Sequence, residues 1–341
     1  MTPAGHEAIH VGIAYPFDDA TIDAFRDVSP RLRLHLAAGQ GAEGADEIIA
    51  AVPEIEGLIG QRLPSNRERL GRLRWLQILS AGAELALGSE PWPRGVVLTN
   101  ARGCYASAIA QYTIGAILRI AERVDQRAAL QRAATWPDDE VPYTGELVRG
   151  RTLLIVGYGG TGREIARLAK AFRMRVLAVK GHPEQRQDTS FRLPGTGDPE
   201  GEIPERIAGL EGLRDLAGEA DFVSITLPIT RATRGVFSRE VIAALPGHAW
   251  IVNTGRGPVV DEAALLDALR GGRIGGAVLD VFGEEPLPVD APWWSLPNVI
   301  VTPHVAGSSG AEEHRVLIVE NLRRFVAGEP LINAVDPERG Y

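Results

Sequence analysis

The chain has 341 residues, 45% apolar and 23% charged, a globular composition with room for two ordinary domains. A formal net charge of −8 argues against a nucleic-acid or anionic-membrane partner, because either would select a basic surface. Cys104 is the only cysteine, Met1–His10 lacks a basic, apolar leader, and no run reaches 18 apolar residues, so a cytoplasmic protein without disulfide or metal is expected.

In chain order, Val11–Ala14, Gly57–Ile59, Trp75–Ile78 and Val96–Thr99 read as buried strands, with helices over Asp19–Phe25 and Asp46–Val52. That βαβ rhythm predicts a parallel sheet with helices on both faces. A long helix is predicted over Ala106–Arg127, where Ile109, Tyr112, Thr113, Ala116, Ile117 and Ile120 recur three and four residues apart as one buried stripe. The arm Arg132–Arg149 places Trp136 and Tyr143 outside the predicted core, and with the long helix it predicts a homodimer.

A second βαβ series begins at Thr152. Its strands are Thr152–Val156, Arg175–Val179, Asp221–Leu227, Trp250–Asn253, Gly276–Leu279 and Val299–Thr302. The helix after the first strand carries Ile165, Leu168, Ala169 and Phe172 on one face. Residues 183–212, rich in Gly, Pro and Glu, read as a surface insertion. Asp261 caps a helix over Glu262–Arg270 that stops at Gly271-Gly272. A final helix, Ala311–Val326, is expected to pack back on the first domain.

The apolar strand Leu153–Val156 runs into Gly157-Tyr158-Gly159-Gly160-Thr161-Gly162 and then an amphipathic helix. In such a G-x-G-x-x-G turn the glycines allow a tight bend, close approach of a pyrophosphate, and close helix–strand packing, with helix N–H groups facing the phosphates. Its flanking strand and helix make the match specific for a dinucleotide. An NAD-specific site carries an acidic residue about 20 positions on. Here Lys180 stands there, with His182 and Arg186 nearby, which favours NADP over NAD because a cation pairs with the 2′-phosphate.

Three segments fall at the C-terminal ends of predicted strands, where open α/β sheets bind ligands. The first, Asn253-Thr254-Gly255-Arg256-Gly257-Pro258, flanks an arginine with glycines, as if to free the guanidinium for a small carboxylate. The others are Leu279–Pro288, with Asp280, Glu284 and Glu285, and Pro297–Gly307, with His304 closing a strand. A cation, a proton donor and a carboxylate that keeps the donor protonated are what hydride transfer to a ketone requires.

With these motifs, together with Glu146-Leu147 and Gly150-Arg151, the chain resembles the D-isomer-specific 2-hydroxyacid dehydrogenases over nearly its whole length, in the branch of glyoxylate and hydroxypyruvate reductases. The resemblance implies two doubly wound α/β domains with a cleft between them. A flavodoxin-like substrate domain would take residues 1–103 and 305–341, and a Rossmann cofactor domain 104–304, joined by two crossings. It implies that Arg256 binds the substrate carboxylate and polarises the ketone, that Glu285 holds the histidine, and that His304 donates the proton. In Ser80–Glu84 it makes Ala81 and Gly82 substrate-binding candidates. Asp280 would meet the nicotinamide carboxamide, Thr161 and Gly162 the pyrophosphate, and Pro228 the adenosine side. Leu227, Thr254 and Gly255 complete the cofactor set. The sequence departs from the family at Gly283 and Glu284, which stand for its usual acidic residue and variable position, at Gln111, where many members have Glu, and at Lys180. Glyoxylate or hydroxypyruvate reduction with NADPH is the expected activity. Phosphoglycerate or another 2-hydroxyacid with NAD, a phosphite or formate dehydrogenase, and a dinucleotide-sensing corepressor are the alternatives.

Overall fold

The computed structural model describes residues 7–65, 70–87, 92–307 and 311–336. The chain forms two units, the first comprising Met1–Tyr105, Ser190–Leu193 and Gly310–Tyr341, the second Ala106–Thr189 and Pro194–Ser309. It therefore passes between units at four points, where the sequence predicts two.

In the first unit the elements are β1 (Ile9–Ile13), α1 (Asp19–Arg26), β2 (Leu32–Leu36), α2 (Gly41–Ala51), β3 (Ile55–Ile59), β4 (Trp75–Gln77), α3 (Glu84–Leu87) and β5 (Val97–Thr99). The strands pair in parallel in the order β2-β1-β3-β4-β5, the flavodoxin-like winding. Strand β2 is absent from the sequence expectation because it is an edge, buried only at Leu32. The N-terminus of α1 is fixed by Asp18, whose carboxylate accepts the Thr21 N–H at 2.7 Å.

The second unit opens with α4 (Ala106–Ala121) and α5 (Val124–Arg132). The single long helix expected here is broken at Arg123, which adopts a left-handed φ of 50°. The buried stripe also rotates: Ala110, Ile114 and Ala121 are inside, while Ile109, Tyr112 and Ile120 are only half-buried. Then come β6 (Thr152–Val156), α6 (Gly160–Ala171), β7 (Arg175–Val179), β8 (Arg206–Ala208), α7 (Leu213–Ala217), β9 (Phe222–Ile225), α8 (Arg239–Ala244), β10 (Trp250–Asn253), α9 (Glu262–Arg270), β11 (Gly276–Leu279) and β12 (Val299–Val301). All pair in parallel in the order β12-β11-β10-β9-β6-β7-β8, a Rossmann sheet with one added strand. Strands β6, β7 and β9 to β11 are near-continuous apolar runs because helices cover both faces.

The insertion after β7 is anchored rather than loose. On α6, Arg163 is 2% exposed, donates to the Asp198 and Arg186 carbonyls, and lies over the Tyr158 ring. The Tyr158 hydroxyl donates to the Asp198 carboxylate at 2.6 Å. Arg163 and Glu164 thus occupy the buried face of α6, and Phe172, expected there, is exposed at the helix end.

Helix α10 (Ala311–Ala327) completes the first unit, with Ile318, Leu322 and Phe325 against Trp75 and the β1 side chains. A buried polar set fixes it. Thr99 donates to Gln77 Oε1 at 2.9 Å, Asn321 donates to the same oxygen at 2.8 Å, and the Ile332 N–H returns to Asn321 at 2.8 Å. Ser190–Leu193 belongs here too. Phe191 packs with Ala101, Cys104 and Leu317, and its N–H donates to Asn333 at 3.3 Å. Gly103, at φ 93°, faces the Phe191 carbonyl so closely that an added Cβ would lie 2.1 Å from the oxygen. Burial among these side chains pushes the Cys104 thiol well above its usual range, so it stays protonated.

Candidate active site

Strands β10, β11 and β12 are adjacent and parallel, with Asn253, Leu279 and Val301 in register, so the residues that follow them emerge side by side. Thr254–Gly257 follows β10, Asp280–Glu285 follows β11 and Thr302–His304 follows β12. Topology thus gathers the three segments flagged by the sequence.

His304 Nδ1 lies 2.8 Å from Glu285 Oε2. The other Glu285 oxygen accepts the Phe282 N–H at 2.9 Å, which fixes the carboxylate. His304 has a left-handed φ of 55°, a conformation that costs a non-glycine residue about 1 kcal/mol or more and is kept where the surroundings impose it. Its N–H donates to the Asp280 carbonyl at 2.9 Å. The Asp280 side chain, 1% exposed, takes the Thr302 hydroxyl at 2.6 Å, the Val305 N–H at 2.9 Å and the Ala306 N–H at 3.0 Å. Tyr112 of α4 extends this set, its hydroxyl 2.6 Å from that of Thr302. The structure therefore gives Asp280 three donors on its carboxylate and makes it the clasp of the histidine segment, a role the sequence did not reveal.

Arg256 is half-buried, and Nη1 donates to the Gly255 carbonyl at 2.8 Å. Among the described residues no carboxylate pairs with it, so its outer edge can take an anion. The flanking glycines serve the backbone. A Cβ at Gly255 would meet the Leu227 carbonyl at 2.8 Å, and one at Gly257 the Phe282 carbonyl carbon at 2.0 Å. They let the arginine loop press against its neighbours, rather than clearing room round the guanidinium.

The glycine turn has the geometry a dinucleotide needs. Gly157 has φ 114°, and a Cβ at Gly162 would lie 2.2 Å from the Gly157 carbonyl oxygen, so the first and third glycines serve turn and packing. Gly159 has nothing within 4 Å of its Cβ position, leaving the approach open. Gly160, Thr161 and Gly162 form the first turn of α6, whose N–H groups have no helical carbonyl to bond. Thr254 Oγ1 is buried without a hydrogen-bond partner, and Leu227 is buried beside exposed Pro228. Tyr158 is the exception. Its N–H donates to the Val179 carbonyl and its hydroxyl to Asp198, so the residue read as a cofactor ligand braces the turn from inside.

At the end of β7, Lys180 donates to the Gln185 carbonyl, and exposed His182 has Nδ1 3.4 Å from Glu184 Oε1. In the first unit the carbonyls of Ala81 and Gly82 accept from Asn100 at 2.9 Å and Ser80 at 2.7 Å. Their own N–H groups donate to no acceptor among the described residues. An open groove of about 710 Å³ in the same unit is lined by Arg31, Arg72 and Arg74, near the N-terminal ends of the strands, and Arg72 and Arg74 already pair with Glu7 and Glu56. It is the wrong end of the sheet for a ligand of this fold.

Residues 114–306 match the family model described as D-isomer specific 2-hydroxyacid dehydrogenase, NAD binding domain. The glyoxylate/hydroxypyruvate reductase B of Yersinia enterocolitica is 31% identical over 323 residues, covering 92% of this chain and 94% of that one. The structure resembles a D-isomer specific 2-hydroxyacid dehydrogenase of Xanthobacter autotrophicus in complex with NADPH and MES, with TM-score 0.78, 29% identity, and 98% and 100% of the two chains covered. It also resembles the NADPH-dependent glyoxylate/hydroxypyruvate reductase of Sinorhizobium meliloti in complex with NADP and sulfate, with TM-score 0.74, 25% identity, and coverage of 98% and 100%.

The clasp generates a prediction. Asp280→Ala strands one hydroxyl and two amide donors in a buried site, which should cost about 3 kcal/mol. The measurement is the urea midpoint of the second unit; an unchanged midpoint would show that water replaces the carboxylate without loss.

Proposed function

The chain belongs to the D-isomer-specific 2-hydroxyacid dehydrogenase family, and from that premise we propose that it reduces glyoxylate or hydroxypyruvate with NADPH. The observation that carries this reading is the His304–Glu285 contact of 2.8 Å in the same unit as an arginine with no carboxylate partner. When bound, the nicotinamide supplies the hydride. Arg256 grips the oxoacid carboxylate and polarises the carbonyl. His304, held through Nδ1, presents Nε2 and gives its proton to the oxygen that becomes the hydroxyl. Glu285 fixes the ring and balances its positive charge. The Ala81 and Gly82 N–H groups offer a carboxylate two backbone donors.

On the cofactor side, the α6 N-terminus takes the pyrophosphate, and the buried Thr254 hydroxyl awaits a partner. Lys180 supports NADP, since its ammonium tops β7 where an NAD-specific site presents a carboxylate. Asp280, with its carboxylate already committed to three donors, acts on the nicotinamide side chiefly by holding the histidine segment.

We also propose a cytoplasmic homodimer built on the cofactor unit. The support is its arm, which exposes Trp136 at 85%, Val141 at 77% and Leu147 at 72%. Among the described residues no helix is long and apolar enough to cross a membrane.

Three outcomes test this. With glyoxylate or hydroxypyruvate, Arg256→Ala and His304→Ala should each lower kcat/KM by roughly 10²- to 10⁴-fold with the fold retained by circular dichroism. Near-native turnover by either would remove that residue from the chemistry. A charge-assisted bond from Lys180 to the 2′-phosphate, about 1.5–3 kcal/mol, corresponds to a preference of roughly 10- to 100-fold for NADPH. Lys180→Asp should abolish it, and equal use of both cofactors before and after the change would make Lys180 a mere loop charge. Light scattering at micromolar concentration should give twice the chain mass, and a monomer would defeat the dimer.

A further inference from the structure

Behind the His304–Glu285 pair stands a carboxylate that the reaction as described does not use. Glu262 opens α9, is half-buried, and its Oε1 accepts the Gly283 N–H at 2.7 Å. One residue earlier, the Phe282 N–H donates to Glu285. Successive amides of one turn therefore hold two carboxylates, one from the turn itself and one from a helix. A Cβ at position 283 would lie 2.7 Å from Glu262 Oε2, so a side chain there would push that carboxylate aside.

We propose that Glu262 is a positioning residue of the proton-donor pair, fixing from α9 the 282–285 turn on which Glu285 rides. The inference rests on the reading of His304 as proton donor. Glu262 works through Gly283 and Glu285 and touches no reacting atom. By fixing the turn it keeps Glu285 turned to His304, the contact on which the proton donor's charged form depends.

Burial raises the Glu262 carboxyl above its ordinary range; the Gly283 hydrogen bond opposes this, and the nearby Glu285 charge adds to it. The adjacent loop brings one further charge, Arg256, whose neighbour Gly257 abuts Phe282 and whose guanidinium has no carboxylate partner among the described residues. Asp261 accepts the Ala264 N–H, Asp267 pairs with Arg239 at 3.2 Å, Arg270 closes the far end of α9, and Glu284 is exposed on the turn. The sign for stability follows. Because the folded value is raised, the contribution is complete below the ordinary Glu range and is lost as pH rises through the raised value.

The first test uses no substrate. With glutamate carboxyls labelled by ¹³C, the Glu262 signal, assigned by its loss in Glu262→Gln, should titrate above the ordinary range and move down by about 0.5 pH unit in Glu285→Gln. An unmoved Glu262 overturns the inference whatever the enzyme reduces. The second test is the pH profile of oxoacid reduction. In Glu262→Gln, which keeps an acceptor for Gly283, the high-pH limb of kcat/KM should shift down by a similar amount, a loss of about threefold on that limb. On the acid side kcat should be kept, and melting temperature at neutral pH should hold or rise. Gly283→Ala should reproduce the shift and add nothing to Glu262→Gln. Coincident profiles overturn the inference. Coupled titrations in a protein that reduces no oxoacid would support the carboxylate pair and sink the functional reading instead.

Discussion

A carboxylate buried at the end of a central parallel strand must find donors, and Asp280 finds them in the segment that follows the neighbouring strand. That need dictates much of the site. The Thr302 hydroxyl and the Val305 and Ala306 amides wrap round one side chain, and the chain between them is forced through a left-handed residue at position 304. The imidazole is thereby presented from a rigid corner rather than a flexible loop, and Glu285 has only to turn the ring. The placement of the imidazole is thus set by Asp280, Thr302 and the Phe282 amide.

The glycines carry the same logic. Those at 255, 257, 157 and 162 each face backbone at distances no side chain tolerates, which brings the arginine loop, the 282–285 turn and the phosphate turn close together. Gly159 differs: nothing lies within 4 Å of its Cβ position, so no packing requires a glycine there. Buried polar groups do equivalent work elsewhere. Arg163 and Tyr158 bind the insertion to the helix that opens the dinucleotide turn, and Gln77, Thr99 and Asn321 bind the last helix to the first sheet.

What the sequence disclosed follows from burial. The central strands of both sheets and the residues at their ends stood out because apolar runs with glycine-rich ends have few other uses. The edge strands β2 and β8 did not, being short or exposed on one side. Nothing in the sequence marks the break at Arg123, since neither glycine nor proline stands there. On α6 the apolar pattern found Ile165, Leu168 and Ala169 but not the buried Arg163 and Glu164 beside them. Glu262 read simply as the first residue of a capped helix, and its partner Gly283 as a departure without a reason. Each becomes meaningful only when two segments 21 positions apart are seen to share one amide.

Phe191 and its neighbours bear on how such a protein can be cut and recombined. Four residues from the middle of the cofactor half of the chain fill a socket formed by Gly103, Ala101, Cys104 and Leu317. A fragment spanning 106–309 would carry that aromatic plug without its socket, and one fusing the two terminal pieces would have the socket without its plug. A chimaera with a relative keeps the plug in a matched socket only where both come from the same parent.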